Sequence, residues 1–179
     1  FNERYGRLEG QATNLGNLGI IERRRGNLDV AERYSHLALE KKRQGGQLEE
    51  QAADLGNLGL VAIARSDLDT AWQYFRDALA INQQFGRLEG EAIHLLNLGN
   101  ILLARGDLSE AERHYRESLV LNQRLGRVEG EVTCIGNLAS LAELRGDQSE
   151  ARALWSNARE LSERFGMSDS VAKAQRKLD

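Results

Sequence analysis

The sequence predicts an all-α protein, a right-handed α-solenoid of antiparallel helix hairpins, and three observations carry that expectation. The 179 residues include no proline, where ordinary usage gives roughly nine, so helices joined by short, proline-free turns are expected. Glycine is a poor residue inside helices, yet it occurs eighteen times, and seventeen of these fall on a 40-residue period. The columns are Gly6/Gly46/Gly86/Gly126/Gly166, Gly10/Gly90/Gly130, Gly16/Gly56/Gly136, Gly19/Gly59/Gly99 and Gly26/Gly106/Gly146. Between them apolar residues recur three and four apart, the spacing of one helix face.

The period divides the chain into four units at residues 6–45, 46–85, 86–125 and 126–165. Residues 1–5 align with the end of a second helix in the later units, so the chain is expected to begin inside a repeat. Each full unit reads as two helices, most legibly in the third. Leu88, Ala92, Leu95, Leu98 and Leu102 make a first helix that Gly106 ends in a left-handed conformation. Asp107 caps the second helix, with Glu110 completing a capping box, and Asp147 with Glu150 repeats the device. That helix carries Leu108, Ala111, Tyr115, Ser118 and Leu121 and ends at Gly126. In the second unit Ser66 stands in the glycine position; left-handed there, it would carry strain of about 1 kcal/mol. Residues 166–179 open a fifth unit but lose the Asn-Leu-Gly pattern, as a partial repeat or a capping helix would.

Gly19, Ala31 and Ala38, with their equivalents, are expected to let the two helices of a hairpin approach closely. The bulky Tyr34, Phe75, Tyr115 and Trp155 are then expected to fill the space against the next hairpin. A lone hairpin could not bury such a face, so stability should reside in nearest-neighbour interfaces.

Composition excludes several classes of function. A net charge of −3 lacks the concentrated basic surface that nucleic-acid binding needs. No stretch approaches the ~18 apolar residues of a membrane span. The single cysteine, Cys134, has no CxxC motif or histidine cluster about it, which argues against structural zinc and for a reducing, cytoplasmic setting. No cofactor or metal is expected. No nucleophile, base and orienting group recur together, so no enzymatic activity is expected either.

The run Leu95-x-x-Leu98-Gly99-x-x-Leu102, then Gly106-Asp107, Ala111, Tyr115 and Ser118, resembles the tetratricopeptide repeat (TPR), and the second unit matches through Leu55, Leu58, Gly59, Ala62, Ala71, Phe75 and Ala78. The Asn-Leu-Gly motifs and 40-residue length are most similar to the repeats of Pins/LGN-type adaptors and kinesin light chains, and also to bacterial multi-repeat TPR proteins. The likeness departs from the common 34-residue form in lacking its terminal proline. It implies a peptide- or protein-binding scaffold and leaves the partner open.

In TPR superhelices the first helices line the concave side. With Leu18 as the core direction and 100° per residue, one stripe lies away from it: Thr13/Asn17/Ile20/Arg24, Ala53/Asn57/Leu60/Ala64, Ile93/Asn97/Asn100/Ala104 and Thr133/Asn137/Ser140/Leu144. His94 lies near it and is included as a candidate contact. Asparagine recurs at 17, 57, 97 and 137 without exception. A carboxamide both donates and accepts, so it can pair with the backbone of an extended peptide without reading its side chains. First helices ~10 Å apart and a peptide advancing ~3.3 Å per residue put one asparagine at about every third peptide residue. In the resembled adaptors, groove asparagines do play this part. Equally, the amides could bond to the adjacent repeat and serve only stacking. With Arg24 its sole cation, the stripe does not suit a carboxylate clamp; Ile20, Leu60, Ile93 and Leu144 among amides suit a peptide with apolar anchors.

Arg25/Arg65/Arg105/Arg145 and Glu9/Glu49/Glu89/Glu129 are expected to be structural, each favouring the helix end of opposite sign. The leading expectation is a scaffold that takes an extended or partly helical segment of another protein. The alternatives are a self-associating structural array and the ligand-sensing region of a larger bacterial regulator.

Overall fold

The computed structural model describes residues 2–179, with side chains from residue 8 onward. Among the described residues there are nine helices and no strand: α1 Asn2–Arg24, α2 Leu28–Gln44, α3 Leu48–Ala64, α4 Leu68–Gln84, α5 Leu88–Ala104, α6 Leu108–Leu125, α7 Val128–Arg145, α8 Gln148–Arg164 and α9 Ser168–Leu178. They form two compact units, Phe1–Gly90 and Glu91–Asp179. The first holds the hairpins α1/α2 and α3/α4, and the second holds α5/α6, α7/α8 and α9. Residues 2–5, expected as the end of a preceding repeat's second helix, lie within α1, which runs unbroken through Gly6 to Arg24; residue 1 and the side chains of residues 1–7 lie outside the described ones.

The helices are joined by one recurring turn. Gly26, Gly106 and Gly146 have φ of 83°, 82° and 81°, and Gly46, Gly86, Gly126 and Gly166 have φ of 65–68°. Ser66 does occupy the same left-handed region, at φ 62°. At the third unit's turn Gly106 N–H donates to Leu103 O at 3.0 Å and Asp107 N–H to Leu102 O at 3.0 Å, the double bond of a Schellman motif. Carboxylates of Asp67, Asp107 and Asp147 accept from the N–H of Thr70, Glu110 and Glu150 at 3.0, 3.3 and 3.0 Å. Only half of the expected capping box forms, because the Asp107 N–H is already spent on Leu102. Glu110 instead pairs with Arg113 at 2.7 Å.

Inside each hairpin the periodic small residues meet the aromatic column. A Cβ added to Gly59 would stand 2.8 Å from the Phe75 ring, and one added to Gly99 would stand 2.6 Å from Tyr115. Phe75, Tyr115 and Trp155 therefore pack against glycines of their own hairpins, and Trp155 also meets Ala174 and the lysines of α9 beyond its hairpin, in the direction expected for this column. Tyr34 is one residue out of this register: Ser35 takes the buried position against Gly19, and Tyr34 is half-buried.

Between hairpins the packing is mixed. In the first unit Leu39, Ala52, Leu55, Leu58 and Ala78 form one apolar cluster. Beside it lies a buried ion pair, Lys42 Nζ to Asp54 Oδ2 at 2.8 Å, with Lys42 also donating to Glu50 O at 2.9 Å. At the equivalent α6–α7 contact, Asn122 and Cys134 replace these two residues. Asn122 Nδ2 donates to Ser118 O at 2.9 Å, Cys134 Sγ to Ser118 Oγ at 3.3 Å, and Ser118 Oγ to Ala92 O at 2.7 Å. This polar substitution accounts for another glycine column. Gly90 and Gly130 leave room for the Asn82 and Asn122 side chains, whereas the second repeat, preceded by Lys42 in the asparagine position, carries Glu50 instead.

Leu18 does not mark a buried direction in α1. It is 40% exposed, whereas Leu58, Leu98 and Leu138 are 1%, 2% and 4% exposed. Leu58 is covered by Leu39 of the hairpin before it, and no described helix precedes α1.

Candidate functional site

The stripe singled out from the sequence faces solvent in each unit. On α1 Thr13, Asn17 and Arg24 are exposed and Ile20 is half-buried; on α3 Ala53 and Ala64 are exposed, with Asn57 and Leu60 half-buried. In the second unit Ile93, Asn100 and Ala104 of α5 are exposed, as are Thr133 and Leu144 of α7, while Asn97, Asn137 and Ser140 are half-buried. The opposite sides of these helices carry the buried leucines, so most of the stripe is left open to solvent. Its apolar members are open at the surface, with Ile93 40% and Leu144 64% exposed.

The four asparagines differ in what they hold. Asn97 Nδ2 donates to Ile93 O in its own helix at 2.9 Å. Asn137 Nδ2 donates across hairpins to Asn100 Oδ1 at 3.0 Å, and Tyr115 Oη donates to the same oxygen at 2.9 Å. Both acceptor positions of Asn100 are thus engaged, and what it can offer a ligand is its NH2 group. Stacking therefore uses the amides of Asn100 and Asn137. In the first unit Asn17 and Asn57 make no such cross-hairpin bond among the described residues.

His94 does not belong to the stripe. It is 6% exposed, and burial pushes its pKa down from 6.5 to about 4, so the ring is neutral at physiological pH. One residue beyond Ile93 turns the helix by 100°, which puts His94 in the packed column of Asp54 and Cys134. Of the other histidines, His36 stacks edge-on against Tyr74 at 6.4 Å, and His114 Nδ1 lies 2.9 Å from Glu110 O.

In the arginine column Arg25 pairs locally with Glu22, while Arg65 and Arg145 are structural through partners that their position in one helix did not reveal. Arg65 bonds Asp29 and, at 2.8 Å, Glu32, both on α2. Arg145 bonds Glu112 and, at 3.2 Å, Leu108 O on α6. These ties run from the end of one first helix to the second helix of the hairpin before it. Glu49, similarly, pairs with Arg87.

The stripe also continues where the Asn-Leu-Gly pattern stops. Lys173 and Lys177 of α9 follow Thr133 and Asn137 by 40 residues and are exposed. Extending the asparagine column by one more period would have found them.

Among the described residues no three His, Cys, Asp or Glu side chains gather as a metal site, and no helix is long and apolar enough to cross a membrane.

The model of the MalT-like TPR region matches residues 7–177. The chain belongs to this TPR family. No curated protein matches it. Among solved structures, this TPR chain is similar to BtubC (BKLC) from P. vanneervenii, at 23% identity and TM-score 0.76 over 87% of this chain and 64% of that one. Aspartyl phosphate phosphatase F from Bacillus subtilis is similar at 10% identity and TM-score 0.88, over 93% of this chain and 44% of that one. A putative kinesin light chain with TPR-like repeats from Podospora anserina is similar at 16% identity and TM-score 0.77, over 95% and 84%. At these identities the likeness is one of fold: an all-α solenoid of helix hairpins. The TPR chain spans less than two thirds of the first two proteins.

Proposed function

We propose that this TPR chain is a non-catalytic interaction module that binds an extended or partly helical segment of another protein along the first helices, in a cytoplasmic setting. A helical-repeat fold of this type is consistent with a protein-interaction scaffold. The observation that carries the finer reading is the solvent-facing stripe of amides and open apolar side chains, repeated at Asn17, Asn57 and Asn97 beside Ile20, Leu60 and Ile93, on helices whose other faces are buried. Within the first unit Asn57 supplies a backbone contact and Leu60 an anchor; within the second Asn97 supplies the backbone contact and Ile93 and Leu144 the anchors. Asn137 contributes less, since one of its two N–H groups is engaged by Asn100.

The test is capture from the native extract by the purified chain, compared with an Asn57→Ala/Asn97→Ala variant of unchanged helicity and size. Loss of two amide pairs at about 1 kcal/mol each should weaken capture at least tenfold. Retention of full binding by the double variant would sink the backbone-clamp reading. Exposure of Leu18 and Ile21 at 40% and 43% on α1 favours a second reading, self-association through that face. A concentration-dependent size in light scattering, with no captured protein, would replace the first reading with this one.

A further inference from the structure

We propose that the second unit reads an acidic side chain of its bound segment with Lys173 and Lys177 of α9, and so sets the direction in which the segment lies. The inference rests on the groove reading above and adds the partner's charge pattern to it.

The register of α9 supports the placement. Met167 N–H donates to Ser162 O at 2.9 Å, as Arg127 N–H does to Asn122 O at 2.9 Å, and Gly166 has φ 67° against 65° at Gly126. Ala174 is buried in the position that Cys134 takes in α7. The turn and the packed face are thus repeated, and with them the outward stripe. Where α7 presents Thr133 and Asn137, α9 presents two ammonium groups, each 5.8 Å from the centre of the buried Trp155 ring. Lys177 Nζ also lies 2.7 Å from Glu143 Oε2, while Trp155 Nε1 donates to Glu143 Oε1 at 2.8 Å. Both oxygens of that carboxylate are engaged. Lys177 is matched by Glu143, whereas Lys173 makes no ion pair among the described residues, at the α9 end of a stripe whose positions on α5 and α7 are neutral.

A segment running along α5, α7 and α9 therefore meets amides and apolar side chains first and lysines last. With first helices ~10 Å apart and ~3.3 Å per extended residue, the favoured carboxylate lies about three residues beyond the one at Asn137. The occupant is an internal Asp or Glu of the bound segment rather than a chain terminus. A terminal carboxylate is held by converging amide donors, whereas one N–H of Asn137 is engaged by Asn100 and Gln175 Nε2 donates to Asp179.

The probe is a positional library of acetylated, amidated peptides of about twelve residues, each position fixed in turn as Glu, Gln or Lys, selected on the full chain. The expected result is one position at which Glu is enriched over Gln roughly two- to fivefold, with Lys depleted, the size exposed charge pairs give. Lys173→Glu, which leaves the Lys177–Glu143 pair in place, should reverse that preference. Lys177→Gln, checked for retained helicity, should diminish it. Asn97→Ala should weaken all peptides without moving the acidic position. Peptides captured with no position distinguishing Glu from Lys, or a preference untouched by Lys173→Glu, overturn the inference and leave the groove reading standing. Enrichment only of a parallel set with free C-termini assigns the lysines to a chain end and overturns the internal side chain. No captured peptide at all refutes the groove reading and this inference with it.

Discussion

Replacing Gly99 by alanine sets two opposed effects against each other. Glycine in a helix interior costs about 1 kcal/mol relative to alanine, so local propensity alone predicts that Gly99→Ala stabilises α5. The structure predicts the reverse. The new Cβ would stand 2.6 and 2.8 Å from two Tyr115 ring carbons, so the ring must retreat by about 1 Å to reach ordinary contact. Tyr115 is fully buried, and its hydroxyl is held 2.9 Å from Asn100 Oδ1, so it cannot move freely. The fourth repeat shows what relief would require. It carries alanine at this place, Ala139, and its Trp155 ring lies against Gly136, one turn away. In the third repeat the residue equivalent to Gly136 is Leu96, so that escape is blocked. Overpacking of about 1–3 kcal/mol and a weakened hydrogen bond of about 1 kcal/mol outweigh the propensity gain, for a net loss of about 1–3 kcal/mol. For a chain of this size that lowers Tm by roughly 3–10 °C. Thermal melts followed by circular dichroism measure it, with Gly10→Ala as the control: nothing lies within 4 Å of a Cβ there, so the propensity gain should appear alone. A Gly99→Ala protein as stable as the parent would refute the close-approach argument.

Ser66→Gly should relieve left-handed strain of about 1 kcal/mol, partly offset by about 0.5 kcal/mol of unfolded-chain entropy, and raise Tm by about 1–2 °C in the same melts; no gain would mean that Ser66 is unstrained. Lys42→Met should cost about 3 kcal/mol at pH 7 by leaving the Asp54 carboxylate buried without its cation. Burial pushes the Asp54 pKa above 3.8 despite the hydrogen bond and charge of Lys42, and removing Lys42 pushes it further. A folded pKa above the unfolded one gives stability that is present below the unfolded value and lost as pH rises through the folded value. The deficit of Lys42→Met relative to the parent, read from urea midpoints, should therefore shrink as pH falls from 7 towards 4; a deficit constant with pH would contradict a charged, buried Asp54.

Local interactions made the fold readable. The helix ends follow from Asp107 and Asp147 as caps and from glycines that accept positive φ, and each device acts within a few residues of itself. The 40-residue period then requires like surfaces to stack, and it located the exposed stripe from Asn17 to Leu144 without reference to any contact. Where the readings failed, one angle or one neighbour was decisive: Ile93 and His94 are adjacent in sequence but separated by 100° of helix, and Leu18 has the same chemistry as Leu58 without the hairpin that covers it.

By itself the sequence determined the helices, their turns, the repeat register and the family, because these depend on backbone preferences and on a pattern the chain states four times. Only the tertiary structure decided that Arg65 and Arg145 tie neighbouring hairpins, that Lys42 is buried against Asp54, that Asn137 bonds Asn100 while Asn57 does not bond its neighbour, and that Lys173 and Lys177 gather about Trp155. Each of these depends on which side chains meet across 12 to 40 residues of chain, and a long polar side chain has several partners in reach until packing selects one.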